Sequence, residues 1–306
     1  MTSFQFNIMD AAGYGYYRVW QERAYLLKLA FVPVLIKFAC TIAVFSLELD
    51  KNVLRQGLIM LPSIFAEGWV LAQFLRTLLK NERWPMPIPE VPDMSLVGGL
   101  LNRAKGIIAA VLVYVLLGML AYFSRYMAFE LFPSDEEIES ARKSLEESQM
   151  ASNSGPLTED TGALSQVLTL FSFVPMVLLV LGVIWTFRLM WIYIPFSVLM
   201  PAKSYLRAVS GFMSSVYMLI LFLASMVPAT FVAIMLVRII YNATDGMGET
   251  IVMLGNFISI FISVSTEITV GLITTTAFAW AMRGFLPKNK ECLNDFPSEQ
   301  KRYKDE

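Results

Sequence analysis

The sequence predicts an all-α fold: an integral membrane bundle of about six transmembrane helices, preceded by an N-terminal interfacial amphipathic helix. Three observations predict it. The chain is 56% hydrophobic and only 16% charged, whereas soluble domains carry about 25% charged residues. Several apolar runs reach the ~18–20 residues that cross a bilayer as a helix. The alternating segments of about ten residues that build a membrane β-barrel are absent from the pattern.

The N-terminal element comes first. Met9, Gly13, Tyr16, Tyr17, Trp20, Ala24 and Leu27 recur at helical spacing, with Asp10, Arg18 and Glu22 elsewhere on the wheel. An interfacial helix with Tyr and Trp at headgroup depth fits this pattern, and so does a simple extension of the first span. The first 23 residues lack the basic-then-apolar order of a cleaved signal peptide, so the N-terminus is expected to remain. Spans are then expected at 26–47, 57–79, 106–123, 164–187, 214–237 and 251–282. Together they make a single membrane domain over 1–287, with a polar tail at 288–306.

The first two spans carry opposite charges. Lys37 stands about ten residues before the end of the first span, and Glu67 about ten after the start of the second, a helical rise of roughly 15 Å in each case. Half of a ~30 Å hydrocarbon core is the same distance. In an antiparallel hairpin the two residues therefore reach one level, where an unpaired charge costs at least ~2.5–3.5 kcal/mol. A Lys37–Glu67 ion pair is the least costly arrangement. Pro33 and Pro62, each one turn before a charge, free a carbonyl and kink the helix nearby.

After the second span, "WPMPIPEVPDM" places prolines at 85, 87, 89 and 92. That spacing forbids a helix and predicts an extended strap from Pro85 to Pro92, a stiff connector or a partner-binding segment. Small residues in "VGGLL" and "LGMLA" suit close helix packing around the third span. The connection 133–162 is strongly acidic. Within it Ser134 and Glu137 stand in capping-box spacing, and Glu139–Lys143 and Arg142–Glu146 are four apart with opposite sign, so a short solvated helix is expected.

The join between the fourth and fifth spans reads "FRLMWIYIPFSVLMPAKSYLRAVSGFMSSVYMLI". Arg188 ends a span, Pro195 lies in an apolar interfacial stretch, and Lys203 and Arg207 precede Ser210. This segment resembles the corresponding turn of a group of six-helix bacterial inner-membrane proteins of unknown function. It is also similar to the membrane-anchor domain of some bacterial glycerophosphodiester phosphodiesterases. The resemblance implies a six-helix inner-membrane fold. The sequence contains no phosphodiesterase domain, so no catalytic residue is implied.

The sixth span holds a third mid-membrane charge, Glu267. Asn256, Ser259, Ser263, Glu267 and Thr274 fall on one helical face, which should turn toward other helices or a hydrated cavity. If Lys37 neutralises Glu67, then Glu267 is surplus: it is protonated, or it shares the lysine. The expected arrangement is a locking Lys37–Glu67 pair with Glu267 a neutral acid bonded to Ser263 or Thr266. The competing one makes Lys37, Glu67 and Glu267 a proton or cation site in a transport path.

Orientation follows from the lysines and arginines. Arg18, Arg23 and Lys28 precede the first span, and Arg76, Lys80, Arg83, Arg103 and Lys105 lie between the second and third. Arg188, Lys203 and Arg207 lie between the fourth and fifth, and the tail adds Arg283, Lys288, Lys290, Lys301, Arg302 and Lys304. The other side holds fewer: Lys51, Arg55, Arg125, Arg142, Lys143 and Arg238. Both termini are expected in the cytoplasm.

Composition also bounds function. Net charge is −1, which gives no argument for nucleic acid, and histidine is absent. The commonest metal ligand and general base are thereby missing. Two cysteines, Cys40 and Cys292, imply no disulfide or metal framework. No phosphate-cradling glycine loop occurs, and no cofactor is expected. The sequence therefore points to a non-enzymatic accessory, scaffold or envelope-homeostasis protein of the bacterial inner membrane. Its expected partners are the lipid bilayer and a protein met through the strap or the tail; the alternative is a proton- or cation-coupled transporter.

Overall fold

The computed structural model describes residues 6–49, 52–85, 94–131, 143, 181–182, 184–244 and 246–286. The expected fourth span lies outside them over 164–180. So do the acidic connection apart from Lys143, positions 86–93 of the strap, and the tail from 287.

The described residues are all-helical, without a strand. In chain order α1 is Ile8–Gln21, α2 Arg23–Ser46, α3 Val53–Lys80 and α4 Met94–Leu131. A 3₁₀ turn at Phe187–Trp191 leads into two short helices, α5 (Tyr193–Ser197) and α6 (Ala202–Ala208). Finally come α7 (Phe212–Thr244) and α8 (Glu249–Ala281). Among the described residues five helices are long and apolar enough to cross a membrane: α2, α3, α4 over Gly98–Met127, α7 and α8.

The hairpins α2–α3 and α7–α8 sit side by side, with α3 in the middle, touching α2, α4, α5 and α8. From Val70 to Leu79 every residue of α3 is buried. The outer helices keep apolar side chains on the surface, among them Phe31, Val32, Leu116, Phe231, Val232 and Leu254. In water such a surface would be costly, and against acyl chains it is not. A bundle of long apolar helices that shows large apolar side chains on its outside is suited to lipid.

The tight helix contacts rest on glycine. At Gly15 of α1 a Cβ would stand 2.6 Å from the backbone carbonyl oxygen of Ile273, and at Gly68 3.0 Å from the Tyr114 ring. Helices approach this closely only where a side chain is missing. Gly15→Ala is expected to push α1 off α8 and lower stability by ~1–3 kcal/mol. Gly13→Ala, with nothing within 4 Å, should be tolerated; thermal unfolding of the two variants in detergent decides between them.

The N-terminal helix shows how the expected stripe is used. Met9, Gly13, Tyr17, Trp20, Ala24 and Leu27 are exposed, while the opposite face of Ala11, Ala12, Tyr14 and Gly15 is buried in contact with α8 and α7. Tyr16 goes further. Its hydroxyl donates to the Ser225 carbonyl oxygen at 2.7 Å and accepts from the Ala229 amide at 3.2 Å. Those two backbone groups would otherwise bond to each other, so the phenol is inserted into the α7 ladder beside Pro228. Burial pushes the Tyr16 phenol up, against a smaller opposing effect of the Ala229 hydrogen bond, so its donor proton stays in place. Tyr16→Phe should cost ~1–3 kcal/mol, the penalty of leaving buried polar groups unpaired, again read from thermal unfolding.

The apolar stretch around Pro195 is packed into the protein: Tyr193, Ile194, Pro195 and Ser197 are all buried, with α5 on α4 and α3. The Tyr193 hydroxyl is bonded to Thr275 Oγ1 at 2.7 Å, and the Ser197 hydroxyl to the Ile194 carbonyl at 2.7 Å. With these polar groups satisfied, burial becomes affordable. Trp191 stacks on Phe278 with ring centroids 3.8 Å apart, anchoring the entry to α5.

Candidate functional site

Lys37 of α2 is buried, with 3% of its side chain exposed. Its ammonium reaches Glu67 Oε2 of α3 at 2.7 Å and Glu267 Oε1 of α8 at 2.8 Å. The structure thus brings all three membrane charges to one point. Glu267 lies 18 residues into α8 and 14 before its end, close to the middle of a helix about 50 Å long at ~1.5 Å per residue.

Several smaller features hold the cluster. A Cβ at Gly271 would stand 3.4 Å from Glu67 Oε1, so the glycine leaves room for that carboxylate. The Tyr114 ring lies on Gly68, the residue after Glu67 on α3. Thr41 Oγ1 donates to the Lys37 carbonyl oxygen at 2.8 Å, one turn along α2. Lysine suits this position because an ammonium has three donors and can serve two acids at once.

The arrangement corrects two expectations. Glu267 is not bonded to its own helix alone; it is the second partner of Lys37. The polar stripe also does not turn inward along its length. Asn256 and Ser263 are exposed and Ser259 is half-buried, while Thr274 is buried. Glu67 keeps 10% of its side chain exposed, and Glu267 64%. α8 meets α2 through Phe261 on Phe38 and α3 through Gly271 on Leu71, and its buried side chains here are Val264 and Ile268 rather than Asn256 and Ser263.

A second polar cluster lies at the end of the bundle where α3 stops. Arg76, 1% exposed, donates through Nε to Glu82 Oε2 at 2.7 Å and through Nη2 to Oε1 at 3.0 Å. Its Nη1 donates to the Ser197 carbonyl oxygen at 2.7 Å. Arg103 Nη2 donates to the Arg83 carbonyl oxygen at 3.0 Å, and Arg83 pairs with Glu22 at 2.9 Å. Charge-assisted, two-pronged pairs of this kind are strong and directional. They tie the ends of α3, α4, α1 and α5 into one knot.

The same end carries arginine–tryptophan pairs. Arg23 stacks over Trp20 at 4.9 Å, Arg103 over Trp84 at 5.9 Å, Arg188 over Trp185 at 4.3 Å and Arg283 over Trp280 at 3.7 Å. Arginine over indole is the strongest side-chain cation–π arrangement, and tryptophan prefers the membrane interface.

The Arg76–Glu82 knot was missed by sequence reasoning, which counted these arginines only as interface charge. A partial signal exists in Asn81, which adopts a left-handed backbone with φ 57°. Asparagine tolerates that conformation at a helix end, and the turn sends Glu82 back onto Arg76. Nothing local could announce Ser197. Among the described residues no group of three or more Cys, Asp or Glu is placed to hold a metal ion. No family model matches the chain, and no curated protein or solved structure matches it either.

Proposed function

We propose that this chain is a non-catalytic component of a membrane assembly: an accessory or scaffold protein, placed in a bacterial inner membrane with both termini in the cytoplasm. The observation that carries the reading is Glu267. Its carboxylate is locked by a buried lysine yet lies on the outer surface of the bundle at mid-span, beside exposed Ser263 and Asn256. A polar face turned out of a helical bundle at membrane depth suits contact with another protein. The orientation is supported by the arginine–tryptophan pairs gathered where α2 begins and α3 and α8 end. The likeness of the 187–220 join to six-helix inner-membrane proteins belongs to the same proposal.

The Lys37 geometry favours one second reading. A lysine held by two carboxylates can change its preference when one of them takes up a proton, which is the element a proton-coupled transporter needs. One experiment separates the two. Purified protein in vesicles loaded with a pH-sensitive dye should dissipate a proton gradient no faster than empty vesicles do. Faster decay that disappears in Glu267→Gln would replace the assembly reading by the transport one. In cells, an assembly component should lose function when 288–306 is deleted or the prolines from Pro85 to Pro92 are replaced.

A further inference from the structure

We propose that Arg103, at the end of the bundle where α3 stops, anchors a binding site for a phosphate group at lipid-headgroup depth. Either a membrane lipid or free phosphate can supply that group. The site stands apart from the Lys37 cluster.

The idle donors of Arg103 point to an anion. Its side chain is only 5% exposed. Nη2 donates to the carbonyl oxygens of Glu82 and Arg83 at 3.4 and 3.0 Å, but Nε and Nη1, both buried, have no hydrogen-bond partner among the described residues. Buried donors left idle are costly. Glu82 does not meet the need. It gives both carboxylate oxygens to Arg76 at 2.7 and 3.0 Å and lies 3.8 Å from Arg103 Nε, beyond hydrogen-bond length. Arginine stays protonated in proteins, so two buried guanidinia share one carboxylate. Ionised, that carboxylate balances one of them; protonated, it balances neither. A further anion is called for in both cases.

Depth selects phosphate. Arg76 stands nine residues beyond Glu67 on α3, a rise of roughly 14 Å at ~1.5 Å per residue. Half of a hydrocarbon core is about 15 Å, so Arg76, Glu82 and Arg103 lie where acyl chains give way to phosphate headgroups. The exposed Trp84 ring lies 5.9 Å from the Arg103 guanidinium, and tryptophan favours that layer. As the cover of a buried guanidinium, Trp84 is the side chain a headgroup displaces on entry. Arginine then holds the phosphate through charge-assisted hydrogen bonds.

The test titrates the full chain in detergent with dioctanoyl phosphatidic acid, with dioctanoylglycerol, which has the same chains and no phosphate, and with inorganic phosphate. Native mass spectrometry counts the molecules bound, and thermal unfolding reports their effect. Phosphatidic acid should bind ~10-fold more tightly than dioctanoylglycerol, the scale of one charge-assisted hydrogen bond, and should raise the melting temperature. Arg103→Gln should remove that preference, whereas Lys105→Gln, at an exposed cation nearby on α4, should keep it. A phosphatidic acid with a photoreactive diazirine beside its phosphate, crosslinked to the unaltered chain, covers the case in which Arg103→Gln fails to fold. Its label should fall on Trp84 or on α4 within a turn of Arg103.

A response confined to phosphatidic acid assigns the site to a lipid headgroup, and an equal response to inorganic phosphate assigns it to free phosphate; both uphold a phosphate site. Equal binding of phosphatidic acid and dioctanoylglycerol would overturn it, as would a preference that survives Arg103→Gln or a label far from Trp84 and Arg103. Binding of neither phosphate probe would also overturn it, the result expected if residues 86–93, outside the described ones, already serve the guanidinium.

Discussion

Lys37→Met is expected to be the most damaging single substitution in the membrane core, costing ~3–5 kcal/mol, the range for breaking a buried ion pair from one side. It removes the ammonium to which Glu67 and Glu267 both bond. Glu67→Met should be milder, because Lys37 keeps Glu267 at 2.8 Å. The double variant Lys37→Met/Glu67→Met should recover only part of the loss, since it exchanges one buried pair for apolar side chains of similar size but leaves Glu267 without its lysine. Thermal unfolding in detergent micelles measures all three. Equal damage in Lys37→Met and in the double variant would show that the α2–α3 contact does not depend on this pair.

The second large effect is expected at Arg76. Its guanidinium meets both oxygens of Glu82 and the carbonyl of Ser197, so Arg76→Ala leaves a carboxylate and a carbonyl without their donor. A loss of ~3–5 kcal/mol is expected from removing one side of such a pair. Arg76→Lys should rescue little, because a compact ammonium cannot reproduce a planar fork that serves three acceptors. Gly106→Ala should act in the same direction: its Cβ would stand 2.5 Å from the Ser197 carbonyl oxygen and against Arg76 Nη1. The measurement is the melting temperature, together with trypsin cleavage after Lys80 and Arg83, which should speed up as the knot opens.

The two predictions differ in how legible their sites were. Lys37 and Glu67 could be set at one depth from the sequence because an antiparallel hairpin converts residue count into height. No comparable rule placed Glu267. Its helix lies about 200 residues further on, and whether it reaches Lys37 depends on how α8 is rotated about its axis, which its contacts with α1, α2, α3 and α7 decide. The outward turn of Asn256 and Ser263 has the same origin. A helical wheel shows that residues share a face and does not show what that face meets.

Tyr16 and Tyr193 teach a related lesson. An apolar residue with a polar end reads equally well as an interface anchor or as a buried hydrogen-bonding group. Pro228 opens the α7 ladder locally, and Tyr16 fills the opening only because Gly15 lets α1 approach α8. The stretch around Pro195 sinks between α3 and α4 because Gly106 makes room and Arg76 takes up the Ser197 carbonyl.

By itself the amino-acid sequence determined that this chain lives in lipid as long apolar helices, and that the charges of α2 and α3 stand at a common depth. Composition, run length and helical rise are properties of a single strand of residues. The tertiary structure alone decided that Lys37 serves two acids, that Glu267 faces outward and that Arg76 clamps Glu82 and the Ser197 carbonyl. Each of these depends on the rotation and spacing of helices far apart in the chain, set by which small residues allow contact, and no local pattern encodes that.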